Sequence, residues 1–178
     1  LGLIDDGYLL CTMAQNPDVM GYEGVKAAVA AVGGESLGGK VTDTGVSVLT
    51  AQGGTASAAS EGSTAKASKE YRIALITMDS IDQHWVTLNE GAQKEAETLG
   101  VSVTFMSPNT KDDAQQIECV NNAVAGGYEA IIVAAKGVPR VQYPVPGKIQ
   151  MVVLDKIIQV GGAKVVLFGA KCVFQIKL

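Results

Sequence analysis

The stretch YRIALITMDSIDQHWVTLNEGAQKEAETLGVSVTFM, residues 71–106, contains two short apolar runs separated by a segment in which apolar residues are spaced differently. The first run, RIALITM (72–78), is rich in aliphatic residues and predicts a strand, as does the alternating run VSVTFM (101–106). Between them, apolar residues recur at steps of three and four and end at a glycine, which predicts an amphipathic helix. These residues are Trp85, Leu88, Ala92, Ala96 and Leu99, followed by Gly100.

The same alternation continues toward the carboxyl end of the chain. A capping aspartate and an apolar stripe predict a second helix. The residues are Asp112 or Asp113 for the cap, and Ile117, Val120 and Val124 for the stripe. The run AIIVAA (130–135) then predicts a buried strand. Further apolar spacing predicts a third helix, on Ile149, Val152, Val153, Ile157 and Val160, and KVVLF (164–168) predicts another strand.

The first fifty residues add one more strand and helix. LLCTMA (9–14) predicts a strand of the same sheet, and Asn16 and Pro17 are typical of the cap and first position of a helix that ends at Gly33. VTDTGVSVLT (41–50) reads as an extended strand without an obvious place in the sheet. Together the pattern predicts an α/β fold with a doubly wound parallel sheet of about five strands, flavodoxin-like in arrangement.

Residues 51–70, AQGGTASAASEGSTAKASKE, contain no aromatic and no branched aliphatic side chain. Such a composition is typical of a flexible linker. At 178 residues the chain is long enough for one well-buried core. We therefore predict a single lobe over 1–178, built from 1–50 and 71–178 and joined by the linker 51–70.

Composition and motifs exclude several functions. The net charge of -4 and the scattered Lys and Arg residues argue against nucleic-acid binding. The apolar runs are far shorter than the roughly 18 residues of a membrane-spanning helix. Cys11, Cys119 and Cys172 lack CxxC spacing, which predicts buried free thiols and no metal site.

The sequence contains no complete motif for catalysis or cofactor binding. GESLGGK (34–40) is followed by Val41 and lies between a helix and a strand, whereas a phosphate loop follows a strand and opens a helix. No G-x-G-x-x-G turn follows a strand, and the chain has a single histidine. We predict a protein without cofactor that is not an enzyme.

Two parts of the chain resemble the periplasmic sugar-binding proteins of the type I family. Residues 71–135 are similar to the start of the family's first lobe, including the helix pattern GAQKEAxxLG (91–100). DDGYLLCTMAQNPDVMGYEGVKAAV (5–29) resembles a late segment of the family that returns to that lobe, and 41–50 resembles its closing strand. Residues 136–150 and 172–178 depart from the family pattern.

The order of these segments is reversed relative to the family. The late segment precedes the early one, and the linker 51–70 joins what would be the carboxyl end to the amino end. The resemblance therefore implies a circularly permuted first lobe of the family, with the second lobe missing. An engineered origin and a natural permutation both remain open.

The resemblance also implies a function and a site. Such proteins capture a monosaccharide outside the membrane and deliver it to the permease of an ABC transporter, without making bonds. In parallel sheets, ligands lie beyond the carboxyl ends of the strands, and polar and aromatic side chains at those ends suit sugar hydroxyls and C–H faces. The candidate residues are Asp79, Ser80, Asp82, His84, Trp85, Gln15, Lys136 and Lys171, with Ser107, Asn109 and Asn16 nearby.

Each candidate has a second interpretation. Trp85 fits the apolar stripe of its helix, and the aspartates and Asn16 are suitable helix caps. Lys136 and Lys171 are of the type usually found in solvent. Three functions stay open: weak sugar binding by one lobe, an engineered lobe-only scaffold without a ligand, and an enzyme with an acid pair at Asp79 and Asp82. Exposed edge strands also favour a homodimer.

Overall fold

The structure is a computed structural model that describes residues 2–35, 42–51, 53–56, 66–134, 150–154, 166–168 and 174–176. The helices are α1 (Gly2–Asp5), α2 (Pro17–Val32), α3 (Gln83–Leu99) and α4 (Asp113–Ala125). The strands are β1 (Cys11–Gln15), β2 (Val46–Thr50), β3 (Gly53–Ala56), β4 (Arg72–Ile76), β5 (Ser102–Phe105), β6 (Ala130–Ala134), β7 (Gln150–Leu154), β8 (Val166–Phe168) and β9 (Phe174–Ile176).

Five of these strands form a parallel sheet in the order β5-β4-β6-β7-β8. The short strand β9 pairs antiparallel with β7, where Ile176 lies opposite Met151. The chain leaves β4 toward β5 on one side and then crosses to β6 on the other. The predicted fold class, an α/β doubly wound parallel sheet, is therefore confirmed.

Two strands differ from the sequence-based expectation. The predicted third helix is wrong over 150–154, where the chain forms β7 of the parallel sheet. LLCTMA does not join that sheet, because β1 pairs antiparallel with β2, with Cys11 opposite Thr50 and Gln15 opposite Val46. The strand predicted at 41–50 thus has its partner in β1, and the two belong to a separate three-stranded sheet in the order β1-β2-β3.

Part of the predicted linker has regular structure. Gly53–Ala56, within the segment 51–70 that the sequence predicts to be a flexible linker, form β3 and pair antiparallel with β2. Residues 57–65 of the predicted linker lie outside the described residues. At its far end, the Ala67 amide donates to the Leu99 carbonyl oxygen at 3.0 Å, which attaches the chain to the end of α3.

Helix α3 follows its predicted pattern closely. All five residues of the apolar stripe named above are buried. The helix ends at Gly100, whose φ of 71° lies in the left-handed region that glycine adopts without a steric penalty. At its start, the Asp82 carboxylate accepts a hydrogen bond from the His84 amide at 3.1 Å and caps the helix.

Helices α2 and α3 are in backbone contact through two glycines. A Cβ atom on Gly21 would lie 1.9 Å from the Leu88 carbonyl oxygen, and one on Gly91 would lie 2.0 Å from the Asp18 carbonyl oxygen. Met20, Val25 and Ala28 of α2 belong to the same core cluster as Trp85, Leu88 and Ala92 of α3. The segment before residue 35 is thereby packed onto the body formed by residues after 70.

The parallel sheet is covered on both faces. Alternate residues of β4 and β6, including Ile73, Leu75 and Ile132, belong to the cluster with α2 and α3. The residues between them, such as Ile76 and Ile131, are also fully buried. Because right-handed crossovers run in opposite directions from β4 and from β5, α4 lies on the face opposite α3.

Glu95 is a buried acid within the α2–α3 contact. Glu95 is only 2% exposed, and its Oε1 has no hydrogen-bond partner among the described residues. Burial raises the pKa of Glu95, and Glu23 acts in the same direction, while Lys26 opposes them. The ionised form of Glu95 is therefore disfavoured in the folded protein.

We expect Gly91→Ala to destabilise the protein by about 1–3 kcal/mol, because a methyl group cannot fit against the Asp18 backbone without separating the helices. Urea denaturation measures the change in the free energy of unfolding. Gly2→Ala is the matched control, since a Cβ there meets nothing within 4 Å. A Gly91→Ala variant as stable as the control would contradict the backbone contact.

We expect Glu95→Gln to be more stable than the parent protein at neutral pH. A raised pKa in the folded state means that ionisation of Glu95 opposes folding. The contribution of the protonated side chain to stability is fully present below the unfolded pKa, and it is lost as pH rises through the folded pKa. The advantage of the Gln variant should shrink between pH 7 and about pH 4. Glu97→Gln, an exposed site on the same helix, is the control.

Candidate functional site

The polar residues that follow β4 and β5 lie at the carboxyl edge of the parallel sheet. The strand order β5-β4-β6 means that the chain turns in opposite directions after β4 and after β5. Such a switch point leaves a crevice at the carboxyl ends of the strands, where ligands of open α/β sheets bind. The loops 77–82 and 106–112 border this crevice.

Buried hydrogen bonds fix the ends of the strands that support these loops. The Thr77 amide donates to Ser107 Oγ at 2.6 Å, and the two hydroxyl oxygens are 2.8 Å apart. Gln116, buried on α4, donates from Nε2 to the Thr77 and Ala134 carbonyl oxygens, both at 2.9 Å. One amide side chain therefore joins the end of β4 to the end of β6.

Asp79 is almost completely buried, with 2% of its surface exposed. Its Oδ1 accepts hydrogen bonds from the Ile81 amide at 3.0 Å and the Asp82 amide at 2.7 Å. Its Oδ2 has no hydrogen bond among the described residues, but the Lys111 ammonium lies 3.4 Å away. Burial acts to raise the pKa of Asp79, yet the two amides and Lys111 outweigh it and lower that pKa, so the group is a carboxylate.

Asp82 is the exposed member of the pair. Besides capping α3, it accepts from Lys111, whose Nζ lies 3.1 Å from Oδ2. The His84 amide and Lys111 lower the pKa of Asp82, and the two carboxylates raise the pKa of Lys111. The loop after β5 thus delivers one cation to the two anions of the loop after β4.

A second polar contact joins the same two loops. Ser80 Oγ donates to Asn109 Oδ1 at 3.0 Å. Ser80 is half-buried and Asn109 is exposed, so solvent reaches both residues. The loops after β4 and β5 are therefore connected twice, once by charge and once by a neutral hydrogen bond.

His84 and Trp85 form an edge-to-face pair at the start of α3. Their ring centroids are 4.6 Å apart and the ring planes are at 89°. Trp85 is only 6% exposed and belongs to the hydrophobic core, which is the second of its two sequence-based interpretations. Its Nε1 has no hydrogen-bond partner among the described residues.

The structure brings together Asp79, Ser80 and Asp82 but not every other candidate. Gln15 is exposed at the end of β1, in the antiparallel sheet. Lys136 and Lys171 lie outside the described residues.

Asn16 also differs from expectation. Its side chain does not cap α2, because Nδ2 donates to the Thr44 carbonyl oxygen at 3.1 Å and Oδ1 accepts from Ser47 Oγ at 2.9 Å. Asn16 instead ties the start of α2 to the region of β2.

Two residues of this region, Lys111 and Gln116, were not predicted from the sequence. Lys111 follows β5 in the run SPNTKDD, so the rule that places ligands at strand ends could have found it. Gln116 has no comparable signal, since it lies within a helix.

In the part of the chain that the structure describes, no group of three or more His, Cys, Asp or Glu residues is placed to hold a metal ion. No described helix combines the length and apolarity needed to cross a bilayer. Cys119 is half-buried, whereas Cys11 is exposed, so the prediction of a buried thiol is wrong for Cys11. Cys172 lies outside the described residues.

A comparison with protein families identifies the central part of the chain. Residues 73–149, which include all of β4 except Arg72, both β5 and β6, and the loops 77–82 and 106–112, match the model of the periplasmic binding protein domain. This part of the chain is therefore similar in sequence to a periplasmic binding protein domain. The resemblance seen in residues 71–135 is confirmed, although the match covers less than half of the chain and does not extend to residues 5–29 or 41–50.

Solved structures with the same fold are ABC transporter proteins. One is an ABC transporter solute binding protein from Bradyrhizobium sp. BTAi1 with bound Bis-Tris, at 22% identity and a TM-score of 0.51, covering 65% of this chain and 37% of that one. Another is a carbohydrate transporter solute binding protein from Agrobacterium radiobacter in complex with D-arabinose, at 24% identity and a TM-score of 0.50, covering 56% and 36%. At these identities the likeness shows the fold alone.

The matched part of this chain corresponds to only a part of the length of these proteins. The chain spans little more than a third of either solved structure. Both are solute-binding proteins by description. The structure therefore represents a partial domain of the type I periplasmic binding protein fold.

We expect Gln116→Ala to cost about 1–3 kcal/mol of unfolding free energy, because two buried carbonyl oxygens lose their donor. Asn121→Ala, at an exposed position of the same helix, is the control and should change stability little. Thermal or urea unfolding measures both variants. Equal stabilities for the two variants would show that the strand ends do not depend on Gln116.

Proposed function

We propose that this chain is one lobe of a sugar-binding protein that serves an ABC transporter. The observation that carries the proposal is the polar rim at the switch point of the periplasmic binding protein domain. Asp82 and Lys111 contribute an exposed anion and cation, and Ser80 and Asn109 contribute hydroxyl and amide groups. Groups of this kind exchange hydrogen bonds with sugar hydroxyls, which both donate and accept.

The chemistry of the two aspartates favours binding over catalysis. A general acid or base works best with a pKa near the operating pH. The pKa values of Asp79 and Asp82 are both lowered from an already acidic range. Both groups therefore remain ionised at neutral pH, where they accept hydrogen bonds well and release or take up protons poorly.

A single lobe should bind its sugar weakly. Polar pairing is strong in a closed, dry cleft and weak on an open surface, where water competes for every group. The rest of the length found in the solved relatives would supply the opposite wall. For this chain we therefore expect a dissociation constant on the order of 1 mM or weaker.

The proposal extends to partners and place of action. A sugar-binding protein of this kind would act outside the membrane, in the periplasm or the extracellular space, and deliver its ligand to a permease. Strand β1 pairs only with β2 among the described strands; Leu10 just before it is 91% exposed, and Met13 within it is 68% exposed. Such an edge favours a homodimer through strand pairing.

We further propose that the chain is a circular permutation of the family's lobe. The backbone contact of α2 with α3 supports this, since it attaches the late-type segment to the early-type segment within one core. Within the first fifty residues only α2 supports the permutation, because β1 lies in the antiparallel sheet and is not a strand of the parallel sheet. A natural and an engineered permutation would produce the same packing.

One observation favours a second candidate, a scaffold without a ligand. Sugar sites commonly use an exposed aromatic face against the C–H side of the ring. Trp85 is the candidate for that role, and its ring is buried in the core. A lobe that serves only as a folded scaffold would also have Trp85 buried in its core.

A monosaccharide panel distinguishes the two candidates. We expect at least one of D-ribose, D-arabinose, D-allose and D-glucose to raise the melting temperature at concentrations of about 10 to 100 mM, as expected for a millimolar ligand. Calorimetry or NMR titration then gives the dissociation constant. Asp82→Asn should abolish the response, since Asn still caps α3 but no longer carries the charge.

The control is Glu97→Gln, which removes the same charge at the other end of α3, about 22 Å away along the helix. It should retain the response of the parent protein. The absence of any response to the panel would favour the ligand-free scaffold. Micromolar binding by a monomer would contradict the expectation for an open half-cleft.

A further inference from the structure

Lys111 occupies the space between two carboxylates at the rim of the sheet. Its Nζ lies 3.4 Å from Asp79 Oδ2 and 3.1 Å from Asp82 Oδ2. The two aspartates belong to the loop after β4, whereas Lys111 belongs to the loop after β5. Its own side chain is 51% exposed, while that of Asp79 is 3% exposed.

We propose that Lys111 determines the ligand class of this site by filling the cation position between Asp79 and Asp82. With the lysine in place, the site admits neutral polyhydroxylated ligands and excludes ligands that carry an ammonium group. Without it, the same two carboxylates form an amine site. This inference rests on the proposed function, because it names the class of sugar that the rim would accept.

The first support is the fixed direction of the buried carboxylate. Two backbone amides hold Asp79 Oδ1, so the group cannot rotate away without losing both hydrogen bonds. Its other oxygen, Oδ2, is buried and has no hydrogen bond among the described residues. A buried, oriented acceptor of this kind is costly unless a donor or cation lies opposite it.

The second support is the balance of charge. Two carboxylates and one ammonium leave a net charge of about -1 at the rim, and removing the lysine would leave two adjacent negative charges. A tethered ammonium acts at an effective concentration on the order of millimolar or more. An external amine must compete with it, whereas a neutral sugar can bind beside the ion pair without displacing it.

The third support separates this cluster from an ordinary surface ion pair. Exposed pairs contribute little because both partners are solvated and mobile. Here the aspartates are fixed by the turn 79–82 and by the cap of α3, and only the lysine is free to leave. The anionic part of the site therefore persists when the lysine is replaced.

Lys111→Met tests the proposal, with Lys111→Arg as the matched variant that keeps the charge. The probes are ethylammonium chloride, sodium chloride at equal ionic strength, D-glucose and D-glucosamine. Amide chemical shifts of Ile81, Asp82 and His84 report binding, because these amides donate to the two carboxylates. Lys111→Gln is measured as well, so that a folding defect of one variant is recognised from its dispersed or collapsed spectrum.

We expect ethylammonium to shift these amides in the Met and Gln variants at concentrations roughly tenfold below those needed in the parent and Arg proteins. Sodium chloride should not reproduce the shifts. D-glucosamine should gain affinity over D-glucose only in the variants without the charge. Equal responses of the parent, Met and Arg proteins to ethylammonium would overturn the proposal, as would a gain by the Arg variant.

The sugar arm distinguishes this inference from the proposed function. If ethylammonium binds the Met variant as expected but neither sugar shifts any protein, the cation position of Lys111 is supported and sugar binding is rejected. If D-glucose binds the parent protein and the Met variant gains no amine affinity, sugar binding is supported and the role of Lys111 is rejected.

Discussion

The contact between the backbones of α2 and α3 is the constraint on which the rest of this structure depends. Gly21 and Gly91 each leave a gap that the carbonyl oxygen of the other helix fills. Helices normally pack 8–10 Å apart, according to the side chains between them, and glycines permit the closest approach. This contact buries Met20 and Val25 against the sheet side of α3, so it joins segments that are separated by residues 36–70 in the chain.

The parts of the fold that the sequence predicts well are those in which local pattern and tertiary burial agree. Every residue of the predicted α3 stripe is buried, and Gly100 ends that helix in the left-handed conformation. In α4 the agreement is weaker, since Gln116 and Ala123 are buried while the predicted Ile117 and Val124 are only half-buried. A short stripe of three residues does not fix the rotation of a helix well.

The errors have physical reasons. The run QMVVL (150–154) is short and apolar, and periodicity cannot distinguish a buried strand from a helix in such a segment. LLCTMA has the composition of a buried strand, yet it pairs with β2, and Cys11, Thr12 and Met13 are exposed. The partner of a strand depends on the tertiary structure and cannot be read from its local composition. The Asn16 side chain bonds to residues about thirty positions away, which no local capping rule anticipates.

The candidate site was predictable in position and less so in composition. Four candidates were predicted because they follow strands, and these residues do come together at the switch point: Asp79, Ser80, Asp82 and Asn109. The aromatic contribution was harder, since Trp85 satisfied both a core pattern and a ligand pattern, and burial decides between them only in the folded chain. Lys111 depends on the meeting of two loops, which is a property of the sheet order.

The side chain of Gln116 also affects how the rim moves. Because one amide donates to carbonyl oxygens at the ends of both β4 and β6, opening either strand end leaves a buried carbonyl oxygen without this donor. The shared donor therefore couples the two strand ends, which favours their opening as one unit in hydrogen exchange. A molecule that contacted this edge would then lose little affinity to ordering the backbone there.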